Sequence, residues 1–268
     1  LEDIIKKESY KFKKNIPLKN KLNAVIEEYY VKNVNKLLTF LLKEYYPHAS
    51  KKLGLCQYKG GKSLYKLIVQ DNLYDFATPE NIHELGISEV KRIYKDIKEL
   101  IQNHKKEWNY YENHYKPKTS KQILSQTISI KGKLYKNMDK YFHDNLKKSE
   151  NYDVKRVDIG KDSTGYYYPS DFKRKKKGTF YINVDNQEIN HNELLVLSLH
   201  EGMPGHHYQL EKTNNNEKLP LYIRYYDSTA YVEGWGLYSE SLYEYDNFME
   251  YYFKLKYELL RSIRLVVD

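Results

Sequence analysis

Leu197-Ser198-Leu199-His200-Glu201-Gly202-Met203-Pro204-Gly205-His206-His207-Tyr208 places three of the chain's nine histidines at the end of an apolar run. A His-Glu pair followed shortly by another His has the elements of a zinc-peptidase signature, in which two His bind the metal and the Glu activates water. On a regular α-helix the second His belongs at i+4, one turn on and on the same face. That position is Pro204. His206, at i+6, falls roughly 240° round the helix, and His207, at i+7, lies about 10 Å further along it. Neither meets His200 at one ion while the helix stays regular. Pro204 cannot donate to the His200 carbonyl, and Gly205 can take a positive φ, so Pro-Gly reads as a two-residue bulge. Excising it restores the working spacing between His200 and His206 and favours His206 over His207 as second ligand. The plain alternative is a helix that ends at Pro-Gly and leaves surface histidines.

Upstream, Asn190-His-Asn-Glu193 has capping-box spacing and starts the helix that carries Leu194, Leu195, Leu197, Leu199 and then His200. Before it, three short stretches alternate or are β-branched and aromatic: 154–159, Gly165-Tyr-Tyr-Tyr-Pro169 and Gly178-Thr-Phe-Tyr-Ile-Asn-Val184. They read as strands joined by turns. A strand beside the metal-bearing helix suits a peptidase, because an extended substrate can pair with its free edge. Downstream, a helix from Ser228 carries Glu233 and Glu240, seven apart and on one face, among Tyr231, Trp235, Tyr238 and Leu242. A carboxylate half-buried among such residues needs a partner such as a cation, which makes Glu233 the third candidate ligand.

The first 150 residues read as helical scaffold. Apolar residues recur near a 3.6 period from Leu18 to about Tyr46, predicting a long amphipathic helix that ends before Pro47. Thr78-Pro79 starts a short helix that Gly86 closes, and Ser88 caps a longer one with Val90, Ile93, Tyr94, Ile97, Leu100 and Ile101 on its stripe. His83 has no His at i+4 and reads as structural. A helix spans about Lys121 to Asp144, and another runs from Phe248 to Asp268. No repeat or low-complexity linker divides the chain, so residues 1–268 are expected to form one domain, mainly α with a small β-sheet (α+β): helical scaffold over 1–150, sheet and metal-site helices over 151–268.

Composition narrows the chemistry. With 268 residues, 30 Tyr and 8 Phe, the chain can bury a substantial core. Its one cysteine, Cys56, excludes an internal disulfide framework and a Cys-rich metal site, leaving His and carboxylates as ligands. The abundance of Lys, Asn, Tyr and Ile, and with it the net charge of +9, is what an AT-rich coding sequence produces. Lys173-Arg-Lys-Lys-Lys177 lacks interleaved aromatics and reads as a solvated hairpin tip rather than a nucleic-acid site. No stretch has the length of a membrane span or the pattern of a signal peptide, so a soluble protein is expected. The start at Leu1 and the uncapped end point to a piece of a longer polypeptide.

Three blocks together resemble the bacterial proteins grouped as domain of unknown function 885: His200-Glu-Gly-Met-Pro-Gly-His-His-Tyr-Gln209, Glu233-Gly-Trp-Gly-Leu-Tyr-Ser-Glu240 and Arg261-Ser-Ile-Arg264-Leu-Val-Val-Asp268. Gly202 and Gly236 stand where that family's pattern has Ala. The resemblance implies a gluzincin-like zinc metallopeptidase, similar in architecture to the neurolysin and angiotensin-converting enzyme group, with His200, His206 and Glu233 as ligands and Glu201 as base. The family also extends on both sides of the stretch present here, so parts of its cleft are expected to lie outside it. The expected activity is zinc-dependent hydrolysis of a peptide substrate, with His207 as oxyanion donor and Tyr231 and Tyr238 behind it as substrate contacts. The competing expectations are a metal-free, peptidase-derived interaction protein and, less favoured, a basic nucleic-acid-binding module.

Overall fold

The computed structural model describes residues 16–73, 76–143, 151–157, 164–171, 176–184, 189–225 and 228–268. Contacts divide the chain into two compact units, Leu1–Gly61 and Lys62–Asp268.

In the first unit, α1 (Ile16–Val25) continues through a π-helical stretch, Ile26–Val31, into α2 (Lys32–Phe40). A second π-helical stretch, Leu41–Tyr45, and a 3-10 turn, Tyr46–His48, end the run. This is the long helix that the apolar period predicts, and it stops where Pro47 can no longer supply an amide donor. Most of its apolar side chains are exposed, Tyr29 and Leu37 among them, while Leu22, Ile26, Val31 and Val34 are half-buried.

The second unit is mainly helical around a small sheet. It comprises α3 (Gly61–Leu73), α4 (Pro79–Asn103), α5 (Lys105–His114) and α6 (Ser120–Asn137), then β1 (Asp153–Arg156), β2 (Gly165–Tyr168) and β3 (Thr179–Ile182). After a 3-10 turn, His191–Glu193, come α7 (Leu194–Glu201), α8 (His206–Asn215), α9 (Leu221–Tyr225), α10 (Thr229–Leu242) and α11 (Phe248–Val267). Local chemistry sets three of the helix starts. Thr78 and Asn81 form a reciprocal cap on α4, Thr119 and Gln122 on α6, and Asn190 and Glu193 before α7. Among the described residues, no helix is long and apolar enough to cross a membrane.

At Gly86 the expected break is absent, because α4 runs unbroken through it. A Cβ there would lie 2.8 Å from the Leu265 Cβ and 3.2 Å from the Ser262 carbonyl oxygen of α11. Gly86 therefore marks a close helix crossing, not a C-cap, and the packing outweighs its helix penalty of roughly 1 kcal/mol. His83 has the structural role expected of it, with Nδ1 3.1 Å from the Val266 carbonyl oxygen.

The three expected strands form, in the order β1-β3-β2, with β1 parallel and β2 antiparallel to β3. Residues 158–159 of the first predicted strand, and Lys173–Lys175 of the basic run, lie outside the described residues. The inner face of β3, Phe180 and Ile182, packs in one core with Ile130 and Leu134 of α6 and Leu194 and Leu199 of α7. Every residue of α7 except Glu201 is buried. A side chain such as Leu199 contributes about 1.5–3 kcal/mol on burial, so α7 is the element on which the sheet and the other helices assemble.

Across the α4–α11 crossing, Arg92 Nη2 is 2.6 Å from Glu258 Oε1, and within α11 Lys254 Nζ is 2.6 Å from Glu258 Oε2. Burial works to raise the Glu258 carboxyl pKa, but Lys254 and Arg92 outweigh it and hold the value below the ordinary 4.5. A depressed folded pKa stabilises the fold above the unfolded value and loses that contribution as pH falls through the folded value. Glu258→Gln is expected to cost about 1 kcal/mol at neutral pH. In urea titrations the difference from wild type should be full above pH 4.5 and vanish in stronger acid.

Candidate metal centre

His200 sits in the last turn of α7, 5% exposed, followed by the partly buried Glu201. The helix then stops. Gly202–Gly205 form a turn with a cis Met203–Pro204 bond, and His206 opens α8. The break is thus wider than a two-residue bulge, and Gly205 has φ −74° rather than a positive value. Glycine is required there for space: a Cβ at Gly205 would lie 1.8 Å from the His200 carbonyl oxygen and 2.3 Å from that of Leu199. Trp235 of α10 donates its indole N–H to the Pro204 carbonyl at 2.8 Å and anchors the turn.

The turn sets the His200 and His206 rings 4.5 Å apart, edge to face. Glu233 of α10, whose side chain is 57% exposed, reaches both: Oε2 lies 3.4 Å from His200 Nε2, and Oε1 lies 3.6 Å from His206 Nε2. One ligand atom from each of the three can be chosen so that all lie within 4.8 Å of one another. A tetrahedral ion with bonds of about 2.1 Å sets its ligand atoms about 3.4 Å apart, close to each of the two Glu233 contacts, which use different oxygens of the carboxylate.

Behind His200 stands Glu240, fully buried on the same helix as Glu233. Its Oε1 accepts from His200 Nδ1 at 2.7 Å and from Arg261 Nη2 at 3.1 Å. Arg261 Nη2 also lies 3.1 Å from His200 Nδ1, a contact between two donors that share the Glu240 oxygen. With Nδ1 committed to the Glu240 carboxylate, Nε2 faces Glu233 and is the nitrogen left to hold a metal once it gives up its proton, as in a carboxylate–histidine pair that orients a metal ligand.

The charges follow from this arrangement. Burial works to lower the His200 pKa, but hydrogen bonds to Glu233 and Glu240 outweigh it and raise it to about 9. Burial and the neighbouring His200 lower His206 to about 4, so its ring is neutral and keeps a lone pair for ligation. The His200 hydrogen bond holds Glu233 below the usual carboxylate range. Burial pushes Glu201 up to about 7, against the opposing pull of His200 and of the Tyr167 amide. That amide, on the edge strand β2, donates to Glu201 Oε2 at 2.8 Å.

Two cavities border the cluster. One, of about 230 Å³, is lined by His200, Glu201, Glu233, Glu240, Arg261 and Arg264 among others. A second, of about 1330 Å³, shares Glu233, Arg261 and Arg264 with it.

Of the expected site residues, His200, Glu201, His206 and Glu233 come together; His207, Tyr231 and Tyr238 do not join them. His207 is fully buried and turned to the sheet side, with Nε2 2.8 Å from the Tyr135 hydroxyl and Nδ1 2.8 Å from the Tyr167 hydroxyl. Both nitrogens are engaged, so His207 is not positioned as an oxyanion donor. Tyr231 and Tyr238 are more than half exposed and border neither cavity; Tyr238 packs on Trp235 instead. Sequence reasoning gave no site role to Glu240, Arg261 or Tyr167. The seven-residue interval between Glu233 and Glu240 was the available sign for the first, whereas α11 and β2 reach the site only through tertiary packing.

No curated protein matches this chain. Among solved structures, one described as a "putative lipoprotein" from Colwellia psychrerythraea matches with a TM-score of 0.74 and 24% identity. The match covers 88% of this chain and 46% of that one, so the chain spans about half the length of the solved protein, and the likeness establishes the fold alone. The family model for "Bacterial protein of unknown function (DUF885)" matches residues 3–268. The chain belongs to the DUF885 family.

Proposed function

We propose that the chain carries the metal centre of a zinc-dependent peptidase of the gluzincin type, in which two His and one Glu hold the ion. The observation that carries the reading is the convergence of His200, His206 and Glu233 within ligand distance of one another, next to a carboxylate poised near neutrality. His200, His206 and Glu233 would hold the ion, and Glu240 fixes the His200 ring for it. When bound, zinc polarises a carbonyl and lowers the pKa of a bound water to about 7.

The rest falls to the chain's own groups. Glu201 acts as general base, taking a proton from water and returning it to the leaving amine. The Tyr167 amide fixes one oxygen of that carboxylate. Because β2 is an edge strand beside α7, an extended peptide can lie along it and bring its backbone to Glu201.

Elemental analysis of the purified protein, with digestion of a peptide library, tests the proposal. One zinc per chain and metal-dependent cleavage are expected; a metal-free protein that leaves peptides intact overturns it. The ligand assignment has its own test. His206→Ala is expected to lose zinc, whereas His207→Gln keeps it while losing about 1–3 kcal/mol of stability, because glutamine cannot hold both the Tyr135 and Tyr167 hydroxyls as the imidazole between them does. Loss of zinc in His207→Gln but not in His206→Ala would reverse the assignment.

A further inference from the structure

The small cavity holds two arginines on one face of α11, and their surroundings differ. Arg261 is committed to the buried carboxylate of Glu240. Arg264, three residues on, is exposed, and among the described residues its side chain has no acidic partner. The residue best placed to pair with it, Asp268 at i+4, is engaged elsewhere: its Oδ2 accepts from the Tyr65 hydroxyl at 2.7 Å. Arg264 borders both cavities, as do Glu233 and Arg261, so it lies on the wall that the small cavity beside Glu201 shares with the large one. The large cavity is otherwise bordered by the acids Glu80, Glu84 and Asp268. An anion entering it has Arg264 as the uncommitted cation, and a planar guanidinium suits a carboxylate.

We propose that Arg264 binds the free C-terminal carboxylate of a peptide substrate, so that the site cleaves close to the C-terminus. The inference deepens the peptidase reading and rests on it. A carboxylate at Arg264 keeps the end of the substrate in the cavity that also holds His200 and Glu201, whereas a neutral chain running on past Arg264 offers that cation no charged partner.

The test uses one N-acetylated peptide as free acid and as C-terminal amide, with binding measured calorimetrically on the full protein carrying Glu201→Gln, and turnover measured on the wild type. In the Glu201→Gln protein the free acid is expected to bind about tenfold tighter than the amide, the scale of one partly solvated charge-assisted pair. Adding Arg264→Met should bring that ratio to about one, and Arg264→Lys should restore part of it. Equal binding of acid and amide, a preference that survives Arg264→Met, or binding of neither peptide overturns the proposal. So does an amide with an internal acidic residue that binds as tightly as the free acid. The two readings fail separately. Acid-selective binding without turnover by the wild type removes the peptidase reading and leaves the carboxylate site; equal turnover of acid and amide removes the carboxylate site and leaves the peptidase.

Discussion

Glu201→Gln is expected to abolish peptide hydrolysis, by about 10³-fold in kcat, while zinc stays at wild-type stoichiometry, since general-base catalysis is typically worth 10²–10⁴. The two halves of that result have separate causes. Glutamine keeps an oxygen that can accept from the Tyr167 amide, so the strand edge stays in place, but it cannot take up a proton. Glu201 lies outside the His200, His206 and Glu233 set, and removing its charge leaves their spacing alone. Replacing a partly buried carboxylate by a neutral isostere carries little folding penalty, because burial already favours the uncharged form. Parallel steady-state kinetics and metal analysis decide the matter. Residual kcat within a few-fold of wild type would assign the proton transfer to another group, and joint loss of zinc and activity would make Glu201 part of the metal site.

The other large effect is expected at Gly205→Ala. A methyl group there would lie 1.8 Å from the His200 carbonyl oxygen and 2.4 Å from the carbonyl carbon, both backbone atoms of the helix that carries His200. No side-chain rotation relieves such a contact, so the turn must open and His206 must move away from His200. Zinc binding should fall below detection, and stability should drop by about 3 kcal/mol or more, above the range of ordinary surface substitutions. Gly132→Ala, within α6 and with nothing within 4 Å of its added methyl, is the matched control. It should gain up to about 1 kcal/mol from helix propensity and keep its zinc. If Gly205→Ala unfolds at the wild-type midpoint with zinc bound, the close approach of the turn to α7 is not what brings the two histidines together.

What could be read from the residues in order follows the range of the forces involved. Thr78 and Asn190 announced their helices because a cap is made within four residues, and the strands were legible because alternation is local. Gly86 misled because its reason lies on α11, far along the chain. The cluster of His200, His206 and Glu233 could be assembled from one motif and one helix, since Pro204-Gly205 disclosed a break between His200 and His206 even though its geometry is a four-residue turn. His207 shows the limit of proximity in sequence: it adjoins His206, yet its ring answers to Tyr135 and Tyr167. Nothing near position 200 indicates that Arg261 stands behind Glu240.

The tie from His200 through Glu240 to Arg261 also bears on how the unit holds together. It joins positions 40 and 61 residues apart, and the neighbouring His207 reaches 72 residues back to Tyr135. Contacts of such range form only after long loops have closed. An ion that binds the finished site, and not the open chain, therefore stabilises every helix whose docking completes it, in proportion to the logarithm of its free concentration. On this view the zinc proposed for catalysis is also a clasp on the architecture, and withdrawing it should raise amide exchange in α6, α10 and α11 as well as in α7.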